Sequence, residues 1–500
     1  MRRNNRADQD KMKIKWDEEV LKGWFEGSKD VLFQKQQIGK GVLSFSIFSV
    51  YCQSLIDTKE LRRTILPHLH YVLENGFSGD AKELESKVVF PITSIKLDLS
   101  QEDLAQKVFE GEFLFFLPEF KLAYSIKLAK LPARSVEAPS TEVTLKGGRD
   151  GFVEELQTNI GLIRKRLKTS SLSYEEFVIG TRSKTRVAIL FLKDVISQDI
   201  LAQVRSQLND INVDAVISAA QIEELITGRS FSLFPVLEYT GRPDYAVNCL
   251  LYGRFILLVE GCPTASIGPV TLVFFVNNAE DQHSTAPFGS FGRVLRIFSL
   301  LIAVFLPGFW IALVAYHPDQ IPYSLLATLS LSREGVPFPA TLEGFMMIFL
   351  FELLREAGLR IPTTVGQTLS VVGGLIIGQA AISAGFASPG IVVMMAISVV
   401  STFTLINQSL TGTLSVLRYF VYILSCLLGV VGLIFAVFII FIHLVNLRSF
   451  GVPFMAPYSP LVPTSVLPAT FRIRFKNMLR RPKELHTNDS TKKRMNKKDE

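Results

Sequence analysis

IFSLLIAVFLPGFWIALVAY, residues 297–316, is twenty consecutive positions without a charged side chain. At 1.5 Å of rise per residue, a helix of that length covers the roughly 30 Å hydrocarbon core of a bilayer. Outward from this stretch the chain changes chemistry at Arg296. Residues 297–471 hold ten Asp, Glu, Lys or Arg in 175 positions, and the other 325 positions hold 89. The reading is a mixed α+β and membrane protein: an N-terminal cytoplasmic α/β region followed by a polytopic α-helical membrane domain. It accounts for 48% hydrophobic residues in a 500-residue chain, too apolar for a wholly soluble protein of this size.

Three further runs, 365–386, 391–410 and 419–445, are long enough to span. The stretch 341–360, TLEGFMMIFLFELLREAGLR, is different. Each of its charges would cost about 2.5–3.5 kcal/mol near mid-bilayer, against about 0.3–0.6 gained per Leu, Ile or Phe. It therefore reads as re-entrant, interfacial or buried in protein. The N-terminal segment is highly charged and has no apolar leader, Arg293 and Arg296 abut the first span, and the tail is basic. Both ends are then expected in the cytoplasm, which requires an even number of crossings: four, or five segments plus an unrecognised one.

The first half alternates strand-like runs (45–52, 112–116, 187–192, 255–259) with helical periodicity (58–73, 198–208). SFSIFSVYCQSLIDTKEL at 44–61 parallels TRVAILFLKDVISQDIL at 185–201, and VFEGEFLFF at 108–116 parallels LLYGRFILL at 250–258, with Gly111 on Gly253. Two similar subdomains follow. The expected organisation is a charged segment (1–24), α/β subdomain 1 (25–130), a linker and basic helix (131–180), subdomain 2 (181–290), a membrane domain of four or five segments (291–447) and a basic tail (448–500). The linker helix, with Glu154 and Glu155 in its first turn and Arg164, Lys165 and Arg166 in its last, suits the helix dipole and reads as solvated.

The formal charge of +7 lies in residues 472–500, with eleven Lys/Arg and four Asp/Glu, so no broad basic surface for nucleic acid is implied. The tail is instead expected to touch anionic lipid, and its last part, 484–500, to be dispensable for the folded core. Cys52, Cys249, Cys262 and Cys426 are scattered without zinc-site spacing, no catalytic constellation is visible, and neither an enzyme nor a cofactor or metal is expected. His68 and His70 read as packing or surface residues, Asp244 and Asp281 as turn or cap residues.

Intramembrane polar residues are the candidates for function, because lipid cannot solvate them. Glu352, Arg355 and Glu356 share a face of 341–360, and Glu343, about half a turn round, is placed at the interface. Ser398, Ser401, Leu405 and Gln408 form a stripe, with Thr402 beside it, that lines a pore or bonds neighbouring helices. Gly374/Gly378 and Ala380/Ala384 are small pairs for close helix packing, with Gln379 as a polar contact among them.

The stretch PFPATLEGFMMIFLFELLREAGLRIPTTVGQTLSVVGGLIIGQAAISAGFASPGIVVM resembles the A subunit of bacterial spore germination nutrient receptors, the GerA family. RSVEAPSTEVTLKGGRDGFVEELQTNIGLIRKR (134–166), SLFPVLEYTGRPD (232–244), LLYGRFILLVEGCPT (250–264), HLVNLRSFGVPFMAP (443–457) and MLRRP (478–482) extend the likeness over most of the chain. It departs from the family pattern at Gly241, where an acidic residue is usual, and in a less acidic approach to the last motif. The resemblance implies an integral protein of the inner spore membrane that acts with a transporter-like, nutrient-binding B subunit and a lipoprotein C subunit. It also implies self-association into a ring that forms a nutrient-gated ion channel for spore germination. The alternatives are a non-conducting signal-transducing scaffold of the receptor and the related spore membrane protein that accompanies the dipicolinate channel.

Overall fold

The computed structural model describes residues 18–25, 28–38, 45–75, 77, 79, 81–95, 101–129, 147–227, 233–282, 284–360, 376–405, 408–474 and 480–491. The chain forms two units, one of residues 1–230, 239–269 and 479–500, the other of residues 231–238 and 270–478.

The first unit holds two five-stranded sheets. Strands β1 (Val31–Ile38), β2 (Phe45–Cys52), β3 (Thr93–Ile95), β4 (Glu112–Leu117) and β5 (Leu122–Lys127) are ordered β1-β2-β4-β5-β3. Strands β6 (Leu172–Ile179), β7 (Thr185–Leu192), β8 (Glu238–Thr240), β9 (Phe255–Val259) and β10 (Ala265–Gly268) are ordered β6-β7-β9-β10-β8, the same topology. Helices α1 (Leu66–Glu74) and α2 (Gln101–Phe109) belong to the first repeat, α4 (Gln198–Asn209) and α5 (Pro243–Leu251) to the second, with α3 (Leu156–Arg164) between them. The central strand of each sheet is covered on both faces: every residue of β4 and of β9 is buried, whereas the edge strands β1 and β6 carry partly exposed polar residues. That is the pattern of sheets covered by helices.

Gly111 and Gly253 both adopt positive φ, 82° and 91°, at the turn into the central strand, a conformation that favours glycine. Around Gly111 the chain leaving β5 closes the site: Leu128 donates to the Gly111 carbonyl at 3.2 Å and Ala129 bridges to Ile56. In the second repeat the chain leaves β10 for the other unit. The corresponding position against Gly253 is filled by Thr487 of the C-terminal tail. Asn488 donates to the carbonyls of Val195 (3.0 Å) and Ile196 (2.8 Å), Arg481 to that of Leu251 (2.8 Å), and Leu485 is buried. The tail is therefore not a loose basic extension. Residues 480–491 are folded onto the second repeat, which corrects the expected dispensability of 484–500 for the folded core; residues 492–500, with the five Lys/Arg of that segment, lie outside the described residues.

The linker helix is also not solvated. Arg164 of α3 has no exposed side-chain surface and forms a bidentate pair with Asp30, Nε to Oδ2 at 3.1 Å and Nη2 to Oδ1 at 3.0 Å. Its guanidinium lies over Phe109, 4.3 Å from the ring centre, and it also donates to Ser28 Oγ. This buried side chain ties α3 to the first repeat, and its Nη1 donates to the Thr169 carbonyl at 3.3 Å, just before β6.

The second unit is helical. It contains α6 (Ala286–Ile311, continued by a π-helical turn, Ala312–Tyr316), α7 (Tyr323–Ser332), α8 (Ala340–Arg360), a helix over 376–383, α9 (Pro389–Thr402) and α10 (Gln408–Asn446). Ala286–Tyr316 and Leu410–Asn446 are long and apolar enough to cross a membrane. The second of these is not straight. Gly429 has φ 61° and ψ −137°, outside the helical region. Thr413 donates to the Leu233 carbonyl at 2.6 Å, while His443 packs on the ring of Phe234 at 5.9 Å. Thirty residues of straight helix would put those positions about 45 Å apart, so α10 doubles back at Gly429 into two antiparallel limbs. The run 419–445 is thus a helical hairpin rather than one span. The run 391–410 is likewise shorter than expected, because α9 ends after 14 residues at Thr402. Of the run 365–386, residues 365–375 lie outside the described residues.

Candidate functional site

Pro307 lies inside α6. A proline within a helix has no N–H for the carbonyl four residues earlier, here that of Ala303. Two side chains from other helices serve it instead: Ser398 Oγ from α9 and Arg418 Nε from the first limb of α10, each at 2.8 Å. Arg418 is 1% exposed and also donates to the Ser398 carbonyl at 3.4 Å. Its Nη1 stands 3.7 Å from Oε2 of Glu352 on α8, and Glu352 pairs through Oε1 with Arg355 one turn away on the same helix. Four helices therefore meet at one carbonyl and one carboxylate.

A second node lies nine residues earlier on α8. Glu343 is fully buried; one carboxylate oxygen accepts from the backbone N–H of Ser388, the N-cap of α9, and the other is 3.6 Å from Arg333. The negative charge at the start of α9 is favourable to that helix's dipole. Pro389 at the first helical position and the close approach of Gly390 to Leu329 complete the junction, which gives the Ser388-Pro389-Gly390 run a structural reason. Tyr422 Oη donates to the Thr341 carbonyl at 2.7 Å beside it.

The expected site residues thus separate into groups. Glu343, Glu352 and Arg355 are held inside the unit, Glu343 with no exposed surface. Glu356, on the same helix, is exposed. Ser398 is buried at the Pro307 node, while Ser401 and Thr402 bond backward to the carbonyls of Ile397 (2.7 Å) and Val399 (2.5 Å). The Ser398–Gln408 stripe is broken because α9 stops at Thr402. The side chain of Gln408 and the whole of Gly374 lie outside the described residues. Gly378 is buried near Val392, whereas Ala380 and Ala384 are exposed. Gln379 is exposed too, 3.5 Å from Ser383 Oγ. Among the described residues no cluster of His, Cys, Asp or Glu could hold a metal ion.

Sequence reasoning missed Arg418. It sits one residue before the apolar run 419–445. The signal for it was Pro307, which announces a freed carbonyl inside an otherwise donor-poor bundle.

A family model described as Bacillus/Clostridium GerA spore germination protein matches residues 19–484. Spore germination protein XA of Bacillus anthracis is 60% identical over 97% of this chain and 99% of its own length. Spore germination protein KA of Bacillus subtilis (strain 168) is 31% identical over 93% of this chain and 85% of its own. Among solved structures, the N-terminal domain of the A subunit of the Bacillus megaterium spore germinant receptor GerK3 matches with a TM-score of 0.38 and 22% identity, over 50% of this chain and 92% of that one.

Proposed function

We propose that this chain, which belongs to the GerA family of spore germination proteins, is the A subunit of a germinant receptor in the inner spore membrane. In this reading copies of the chain assemble around an axis and conduct ions when nutrient is sensed, together with a transporter-like B subunit and a lipoprotein C subunit. The names of its relatives support the germination role. For the ion path, the supporting observation is polarity on the outside of the helical unit. Gln379, Ser383 and Glu356 are exposed, whereas the large exposed side chains of α8, α9 and α10 include Phe349, Leu353, Val393, Val400, Leu427 and Phe438.

Lipid solvates amide and carboxylate groups poorly, so an exposed polar strip on a helical unit suits a water-lined path better than a face turned to acyl chains. The acidic residues Glu343 and Glu352 are buried or half-buried against arginines of the same chain, and in this reading selectivity rests on Glu356 and Gln379 because they are exposed. Single-channel recording of the purified full-length protein in planar bilayers tests this. Conductance by the wild type that falls in Gln379→Leu and loses cation preference in Glu356→Lys is the expected result. An assembled oligomer that passes no current would favour the non-conducting scaffold, for which the internal pairing of the α8 charges is equally suitable.

A further inference from the structure

We infer that Arg418 is the positioning residue of α8: it holds Glu352, and through it the end of the helix that carries Glu356, against the proline-freed carbonyl of Ala303. The node has a firm side and a loose side. On the firm side Arg418 and Ser398 both bond the Ala303 oxygen at 2.8 Å, joining α6, α9 and α10. Pro307 removes the intrahelical competitor for that oxygen, so this half has no alternative partner within α6.

On the loose side, Arg418 and Glu352 stand at 3.7 Å, an ion pair without a hydrogen bond. Glu352 Oε2 and Arg355 Nε are buried with no hydrogen-bond partner. Glu352 also brings its own counter-charge, Arg355, on the same helix. The helix α8 can therefore leave Arg418 without carrying a bare carboxylate into an apolar bundle, and Arg418 keeps its two carbonyls. Partly satisfied buried networks of this kind are where a packed structure gives way first.

The other end of α8 has a loose ion pair too, Glu343 Oε2 with Arg333 at 3.6 Å and neither atom hydrogen-bonded, but it is held in addition by hydrogen bonds and close packing. Thr341 accepts from Tyr422, Glu343 accepts from Ser388, and Gly344 lies so close under the Tyr422 hydroxyl that a Cβ there would overlap it. With 341–344 as pivot, release at Glu352 swings the following turn on a lever of about 13 Å, nine residues at 1.5 Å each. Glu356 lies on that swinging turn. The consequence for conduction rests on the function proposed above, but the movement itself does not.

Pairs of spin labels on the full-length protein in liposomes, in a Cys426→Ser background, test the movement. One pair, Glu356→Cys with Val416→Cys, reports the swinging end; the other, Leu342→Cys with Val416→Cys, reports the pivot. Glu356, Leu342 and Val416 are all exposed. Arg418→Met and the nearly isosteric Glu352→Gln should each shift or broaden the 356–416 distance and leave the 342–416 distance unchanged, while Arg418→Lys should stay close to wild type. If Arg418→Met does not fold, Glu352→Gln alone decides. An unchanged 356–416 distance in Glu352→Gln overturns the inference, and so does broadening of both pairs, which would mean a general loosening of the bundle. Failure of the wild type to conduct, with the 356–416 shift present, would remove the channel reading and leave this one standing.

Discussion

Arg164 is the most deeply buried charge at the junction of the two repeats of the first unit, beside the Ser28–Tyr174 bridge. It is fully buried, its partner Asp30 is fully buried, and 134 residues separate them. Removing one partner of such a pair leaves the other charge stranded, at a cost of about 3–5 kcal/mol. Arg164→Ala should therefore lower stability by that order in chemical denaturation of the full-length protein, with hydrogen exchange first accelerating at β1 and β6. The double variant Asp30→Leu/Arg164→Met should be markedly less damaged. Beside them, burial and then the Asp30 carboxylate push the Cys52 thiol up, so it should resist alkylation in the native protein and react on unfolding. None of this was legible in sequence. A last turn reading Arg-Lys-Arg fits a solvated helix end as well as a buried one, and the deciding residue is far away in the chain. The glycine pair was legible, because a turn that demands positive φ leaves the same mark, Gly111 and Gly253, in both repeats.

Among elements, α10 departs furthest from its expected form. Periodicity and length of 419–445 indicated one span, since a polar or proline-bearing turn is the usual sign of a reversal and LLGVVG supplies only glycines. Two glycines suffice. Gly429 takes the backbone conformation that other residues avoid, and at Gly432 a Cβ would overlap the Leu424 carbonyl oxygen across the bend. Gly429→Ala should cost about 1–3 kcal/mol, read as a lower melting temperature of the detergent-purified protein. Independently, Thr413→Cys and His443→Cys should be joined within one chain by a short bis-maleimide; no intrachain product would restore the straight helix. The same reasoning explains why the charges of 341–360 were read as a puzzle. A helix judged alone must put Glu352 in lipid, whereas its counter-charge Arg418 arrives from an element more than sixty residues later.

At the scale of the whole molecule, the helical unit is inserted into the α/β unit: the chain leaves the latter at residue 269 and returns to it at 479. Both ends of the inserted part therefore start from one compact body. The return is anchored rather than trailing. Leu485 is fully buried, and replacing such a leucine by alanine costs about 2–5 kcal/mol. Asp489 strengthens the anchor through the Thr491 hydroxyl and backbone N–H and through Arg481, which together hold its carboxyl down at about 2. A carboxyl depressed on folding stabilises the fold above its unfolded value, near 3.9, and loses that contribution as pH falls toward the folded one. Docking of 480–491 should thus be undiminished from neutral pH down to about 4 and weaken between about 4 and 2, a window that Asp489→Asn should abolish in hydrogen-exchange measurements on the Asn488 amide, which donates to the Val195 carbonyl. Deleting residues 480–500 should go further and expose the second repeat to protease while the first repeat stays protected. Epitope tags placed before residue 18 and after residue 491 should be cleaved from the same face of sealed vesicles. Cleavage from opposite faces would mean that the tail seen against Val195, Leu251 and Gly253 is not docked in the membrane-embedded protein.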